Sequence, residues 1–148
     1  MDSLSVREPL EGDRQIEQLI HPTGHCFDDA LEILVQLLTE EHVPPAKLLL
    51  VHGICLMDDN CRFAHAWVEQ DGQCLFLGRY QGDTVLCTVD RADFYRRLRV
   101  QERTKYTPQQ AARENERTCS YGPWKPRYLA LTRPGEEAHG DTEPLHLV

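Results

Sequence analysis

The sequence predicts an α+β protein in which one long amphipathic helix packs on an antiparallel sheet and further helices follow. Residues 26–40 carry apolar side chains at helical spacing, and residues 47–89 contain short apolar or alternating segments separated by turn residues. Residues 107–118 open with a helix-start signature. A chain of 148 residues is long enough for one domain with a sizeable core, which we place at residues 1–132. Residues 133–148, rich in Gly, Pro and acidic side chains, are predicted to be a disordered tail.

The first helix is the clearest periodic segment. Its apolar residues recur at three- and four-residue steps, which places them on one face: Phe27, Ala30, Leu31, Leu34, Leu37 and Leu38. Asp28 and Asp29 fall in the first turn, where the positive end of the helix dipole favours carboxylates. Pro44 and Pro45 end the element.

Four strands are predicted next, at residues 47–57, 63–70, 74–80 and 84–89, and together they form an antiparallel meander. Asp71-Gly72 is a strong hairpin signal between the second and third strands. Side chains alternate between the two faces of a strand. In the second strand one face therefore carries Phe63, His65, Trp67 and Glu69.

The remaining elements are helical. Asp90 is suited to cap a helix that runs to Leu98. Thr107 supplies the next N-cap, with Pro108 at the first helical position and Gln110 where a capping box requires it. Residues 120–124 are predicted to form an aromatic turn against the body, and residues 1–14 a polar arm.

Composition narrows the class of function. A net charge of −8 and a pI near 5.3 argue against a general nucleic-acid binder, which needs a basic surface. The start of the chain lacks the basic and apolar regions of a signal peptide, and no apolar run approaches the roughly 20 residues of a membrane span. We therefore expect a cytoplasmic protein with no membrane partner. Its six cysteines lack paired spacing, so reduced thiols are expected.

Cys26 stands where a reactive thiol is expected, at the N-terminus of the predicted helix and shortly after Gly24. A helix N-terminus stabilises the thiolate, which is the nucleophilic form. His65 follows on a predicted strand between two alanines. If the two side chains meet, the imidazole can accept the thiol proton and later protonate a leaving amine, as acyl transfer requires.

Other interpretations of the same residues stay open. A cysteine near a helix and a histidine on a strand can both be structural. Zinc ligands could come from Cys55, Cys61 and His65, or from His21, His25 and Cys26, but neither set has the close spacing of a structural zinc site. No metal and no cofactor are predicted. Three aromatic residues could line a cleft or pack in the core: Trp67, Tyr121 and Trp124.

The segment His-Ala-Trp-Val-Glu at residues 65–69, preceded by Phe63-Ala64 and followed by Asp71-Gly72, resembles the histidine strand of bacterial transglutaminase-like, papain-like cysteine hydrolases. It is most similar to the small leader peptidases that process lasso peptides. The resemblance covers residues 24–72, about a third of the chain. It implies a papain-like core, a protein or peptide substrate, Cys26 as nucleophile and His65 as general base.

One feature departs from that family. Its members orient the histidine with an aspartate about a dozen residues later, and that position here is close to Leu77. Asp83 and Asp90 are the nearest carboxylates, and we assign the orienting role to Asp90. The predicted function is cysteine-dependent hydrolysis or acyl transfer at an amide or peptide bond. The alternative is a catalytically inactive relative that binds a protein or peptide. The sequence predicts no oligomeric state.

Overall fold

A β-sheet forms the centre of the computed structural model, which describes residues 7–9, 25–56, 59–80 and 83–131. Its strands are β1 (Arg7–Pro9), β2 (Leu48–Leu56), β3 (Arg62–Gln70), β4 (Gln73–Tyr80), β5 (Asp83–Asp90) and β6 (Glu102–Tyr106). Their order across the sheet is β1-β5-β4-β3-β2-β6. Strands β2 to β5 form the antiparallel meander that the sequence predicts.

Both edge strands go beyond the prediction. β1 lies in the segment predicted as a polar arm, yet Arg7 pairs with Leu86 as β1 runs parallel to β5. β6 pairs antiparallel with β2, with Tyr106 opposite Leu50. β6 has five residues, most of them polar, and β1 has three, so neither strand is long enough to show a periodic pattern in the sequence. Both strands form because a neighbouring strand presents unpaired backbone groups to them.

The hairpin between β3 and β4 confirms the predicted turn. Asp71 and Gly72 have φ values of 50° and 80°, which are the left-handed conformations that a tight two-residue hairpin turn requires. The turn sets the register of the two strands, so that Gln70 lies opposite Gln73.

Four α-helices complete the described chain: α1 (Cys26–Thr39), α2 (Arg91–Arg97), α3 (Pro108–Thr118) and α4 (Pro126–Leu129). The first three confirm the predicted helices. The predicted capping box of α3 is present, because the Thr107 side chain accepts from the Gln110 N–H and the Gln110 side chain accepts from the Thr107 N–H. Within the described ranges, no helix is long and apolar enough to cross a bilayer.

The sheet has a core on each face. The first core lies between the sheet and α1, with contributions from α3 and α4, and includes Phe27, Leu34, Leu50, Ala66, Leu77 and Tyr128. The second lies between the sheet and α2 and includes Val51, Phe63, Trp67, Phe76, Cys87 and Phe94. Because neighbouring residues of a strand point to opposite faces, a single strand supplies both cores.

Trp67 lies over Gly53 of the adjacent strand. A Cβ atom at residue 53 would be 2.5 Å from Cη2 of the Trp67 ring, closer than two carbon atoms can approach. Because Gly53 has no side chain, the Trp67 indole can occupy this space in the second core. The predicted tail at residues 133–148 and most of the predicted arm lie outside the described residues.

Candidate functional site

Cys26 is the first residue of α1, as predicted, and its side chain belongs to the core between α1 and the sheet. The residue is 7% exposed. Its backbone N–H lies in the first turn, where N–H groups have no partner within the helix and favour negative charge. A helix N-terminus favours the thiolate, whereas burial among apolar side chains favours the neutral thiol, so the two effects oppose each other here.

His65 lies on the other side of the sheet. Its ring packs among those of Phe63, Trp67 and Phe94, with centroid separations of 5.8, 5.9 and 6.5 Å, and these three residues belong to the core under α2. The alternate residues of β3 are those that belong to the α1 core: Ala64, Ala66 and Val68. The backbone of the sheet therefore lies between Cys26 and His65, and the structure does not bring the predicted pair together.

Asp90 and Asp83, the two carboxylates considered as orienting groups for the histidine, lie at the two ends of β5. Asp90 is the N-cap of α2, and its Oδ2 accepts a hydrogen bond of 3.2 Å from the Asp93 N–H. This confirms the predicted cap and shows that the Asp90 carboxylate is used at the N-terminus of α2. Asp83 is the exposed first residue of β5. Leu77, the position where the family carries aspartate, is buried in the α1 core.

The row His65, Trp67 and Glu69 acts as a packing unit in this fold. Glu69 is 3% exposed, and its Oε2 accepts hydrogen bonds from Trp67 Nε1 at 3.0 Å and from the Tyr95 hydroxyl. Its Oε1 lies 3.6 Å from a guanidinium nitrogen of Arg91 and from the ammonium of Lys105. Burial, and next the hydrogen bond to Glu69, raise the pKa of Tyr95 above its ordinary value. One carboxylate thus joins β3 to α2 and β6.

His52 lies on the α1 face of the sheet and was not among the residues predicted for the site. Its ring is completely buried and lies 4.8 Å from Phe27, 5.1 Å from Tyr106 and 5.0 Å from Trp124, measured between centroids. Gly122 closes the same site, because a Cβ at that residue would be 2.7 Å from Cε1 of the imidazole. Cys26 and Phe27 both belong to the core between α1 and the sheet, so the thiol and this imidazole lie on the same face of the sheet.

Neither ring nitrogen of His52 has a hydrogen-bond partner within the described part of the chain. Burial lowers the pKa of His52 to about 3, so the imidazole is neutral near pH 7. Leaving a buried polar group without a partner costs about 1–3 kcal/mol, and native structures rarely retain one without a reason. His52 is therefore the buried group that most needs a functional explanation.

The aromatic turn at residues 120–124 fixes one wall of this site. Trp124 Nε1 and Asn115 Nδ2 both donate to the Ser120 carbonyl at 3.0 Å, and the Gly122 N–H donates to Ser120 Oγ at 3.0 Å. These bonds hold the Trp124 ring against His52 and confirm the predicted packing of the turn. A sequence signal for His52 did exist, since it is the polar residue inside an otherwise apolar nine-residue strand.

The other thiols are placed differently. Cys55 and Cys74 are fully buried, and burial raises the pKa of each thiol well above its ordinary value. Cys61 and Cys119 are exposed. No group of three or more His, Cys, Asp or Glu side chains in the described ranges could hold a metal ion.

No protein-family model, curated protein or solved structure shows significant similarity to this chain.

Proposed function

We propose that this protein is a cysteine-dependent hydrolase or acyltransferase that acts on an amide or peptide bond, with Cys26 as nucleophile and His52 as its base. The observation that carries the proposal is the imidazole of His52. It is buried, neutral and, within the described residues, without a hydrogen-bond partner on either nitrogen, on the face of the sheet that α1 covers. The imidazole is therefore unprotonated near pH 7, but a group whose pKa is this low is a weak base. The role of base requires that a neighbouring thiolate or bound substrate raise the pKa towards neutrality.

The local packing supports pairing His52, rather than His65, with the thiol. The His52 ring contacts Phe27, the residue after Cys26, whereas His65 is separated from α1 by the sheet. Within the described residues both ring nitrogens of His52 are without hydrogen-bond partners, so the Cys26 sulfur does not bond to either of them. The proposed proton transfer requires the two groups to come within hydrogen-bond reach, directly or through one water, when substrate binds.

The proposed reaction balances with water as the only co-reactant. Proton transfer from the Cys26 thiol to His52 gives a thiolate, which attacks the substrate carbonyl carbon and forms a C–S bond as the carbonyl electrons move to oxygen. Collapse of this intermediate breaks the C–N bond, and His52 gives its proton to the leaving amine. His52 then deprotonates water, which hydrolyses the thioester and restores the thiol; an amine in place of water gives transfer.

The test is the rate of iodoacetamide alkylation at each cysteine, resolved by mass spectrometry between pH 6 and 9. We expect Cys26 to react faster at pH 7 than the exposed Cys119, because the thiolate is the reactive form. His52→Gln should remove that advantage, whereas the matched variant His65→Gln should keep it. Thermal melts of both variants establish that they are folded.

Two results would contradict the proposal. In one, Cys26 of the wild-type protein reacts no faster than Cys119. In the other, His65→Gln suppresses the reactivity of Cys26 while His52→Gln leaves it unchanged.

The second candidate is a catalytically inactive relative that binds a protein or peptide. The observation that favours it is the second core, where His65, Trp67 and Glu69 pack and hydrogen-bond on the α2 side of the sheet rather than facing Cys26. Unreactive Cys26 in the alkylation experiment would favour this candidate.

A further inference from the structure

A groove runs along the outer side of α1, where the helix passes the C-terminal part of α3. It encloses about 310 Å³. Its lining residues are Leu31, Glu32, Val35, Gln36, Thr39, Glu40, Asn115 and Tyr121. Neither Cys26 nor His52 lines it, so the groove is separate from the proposed catalytic pair.

The floor of the groove is apolar. Val35 is 50% exposed, and it is one of two large hydrophobic residues so exposed within the described chain. Valine is a weaker helix former than alanine or leucine, and at this exposure it contributes little to the core. Leu31 and Tyr121 extend the apolar surface beside it. An apolar side chain from another molecule would remove this surface from water.

The rims of the groove are acidic. Glu32 and Glu40 are exposed and lie eight residues apart, which places them about 12 Å apart along the axis of a helix. Gln36 Nε2 donates to Glu40 Oε1 at 2.7 Å and thereby directs that carboxylate along the helix. No Lys or Arg lies in α1, and none is among the described residues that line the groove.

We infer that this groove binds a cationic amphipathic segment of a partner protein. An apolar side chain of the segment packs on Val35, and two Lys or Arg side chains face Glu32 and Glu40. In a helical partner the two cations would be seven residues apart, about 10 Å along its axis, with the apolar anchor between them. Charge complementarity excludes an acidic segment, because like charges across an interface oppose binding.

The probe is a fluorescein-labelled helical peptide with Lys at positions i and i+7 and Leu at i+3 and i+4, titrated with the full chain and followed by anisotropy. We expect saturable binding that weakens as salt is raised from 50 to 300 mM. Glu32→Lys should weaken binding about tenfold, the loss of one favourable charge contact of about 1.4 kcal/mol. Val35→Ala should also weaken binding, because it removes part of the apolar floor.

The matched control is Glu116→Lys. It makes the same change of charge at an exposed position of α3 that does not line the groove, and it should alter the dissociation constant less than twofold. An equal loss of binding in Glu116→Lys and Glu32→Lys would overturn the inference in favour of general charge attraction. Binding of a peptide with Glu in place of both Lys, or no saturable binding at all, would also overturn it. These outcomes are independent of the reactivity of Cys26.

Discussion

A neutral, completely buried imidazole makes His52 the residue whose chemistry depends most on its surroundings. Three aromatic rings contact it and none offers a hydrogen bond along its edge, so solvation is lost without replacement. Desolvation disfavours the protonated form and lowers the pKa. The same isolation that costs stability keeps the imidazole neutral and makes it a weaker base than a solvated histidine.

The lowered pKa predicts a pH dependence of folding stability. In the unfolded chain His52 should titrate near pH 6.5, and in the folded protein at about 3. The unfolded state therefore binds more protons below pH 6.5, and stability is lost as the pH falls from 6.5 towards 3. At pH 5 this amounts to about 2 kcal/mol, whereas above pH 6.5 the contribution is constant.

Urea denaturation of wild type and His52→Leu at pH 7 and pH 5 measures this contribution. We expect the variant to lose about 2 kcal/mol less than wild type between the two pH values, whatever its stability at pH 7. His42→Asn at an exposed position is the control and should follow wild type. Equal losses of stability in wild type and His52→Leu would show that folded His52 becomes protonated by pH 5, as it does in the unfolded chain, and would contradict the lowered pKa.

Among the elements, α3 depends most on its own ends. It buries only Ala111, so packing against the body stabilises it weakly. Its N-terminus has a complete capping box with proline at the first helical position, and Cys119 ends it in a left-handed conformation with φ of 55°. Local signals therefore determine this helix, which explains why its sequence predicted it correctly.

Thr107→Ala should lower the free energy of unfolding by about 1 kcal/mol, because the Gln110 N–H loses its side-chain acceptor. Chemical denaturation gives the global value, and amide hydrogen exchange shows whether the loss is concentrated in α3. The control is Gln109→Ala at an exposed position in the first turn of the same helix. The Gln109 side chain is not part of the capping box, so little change is expected. Equal losses from both substitutions would contradict the importance of the cap.

At the scale of the whole molecule, the sheet is the barrier that separates two sets of aromatic residues. His52 belongs to the α1 side with Trp124, and His65 belongs to the α2 side with Phe94. The two histidines lie on neighbouring strands, with His52 opposite Ala66 and His65 opposite Gly53. Their positions are therefore offset by one residue, and the two side chains point to opposite faces of the sheet. A one-residue change of register between the two strands would bring both imidazoles to the same face.

Paired substitutions test this arrangement by NMR. Phe94→Leu should shift the imidazole C–H resonances of His65 and leave those of His52 in place, because an aromatic ring perturbs only nearby nuclei. Trp124→Leu should have the opposite effect, so each variant is the control for the other. If either substitution shifts both histidines equally, the two rings share one face and the separation described here is wrong.

The sequence by itself determined the elements whose signals are local. The spacing of Phe27, Leu34 and Leu37 predicted α1, Asp71-Gly72 predicted the hairpin, and Asp90 and Thr107 predicted two helix starts. It also identified Cys26 as a thiol at a helix N-terminus. These features follow from backbone preference and hydrogen bonding within a few residues.

Only the tertiary structure decided which face of the sheet α1 covers. Alternation divides β3 into two rows but does not say which row faces the helix, and the resemblance to cysteine hydrolases favoured the row with His65. In the structure the other row faces α1, because the small or branched side chains of Ala64, Ala66 and Val68 leave room for the helix. The large side chains of Phe63 and Trp67 fill the space under α2. That choice placed His52 on the same face as Cys26 and gave His65 a role in packing.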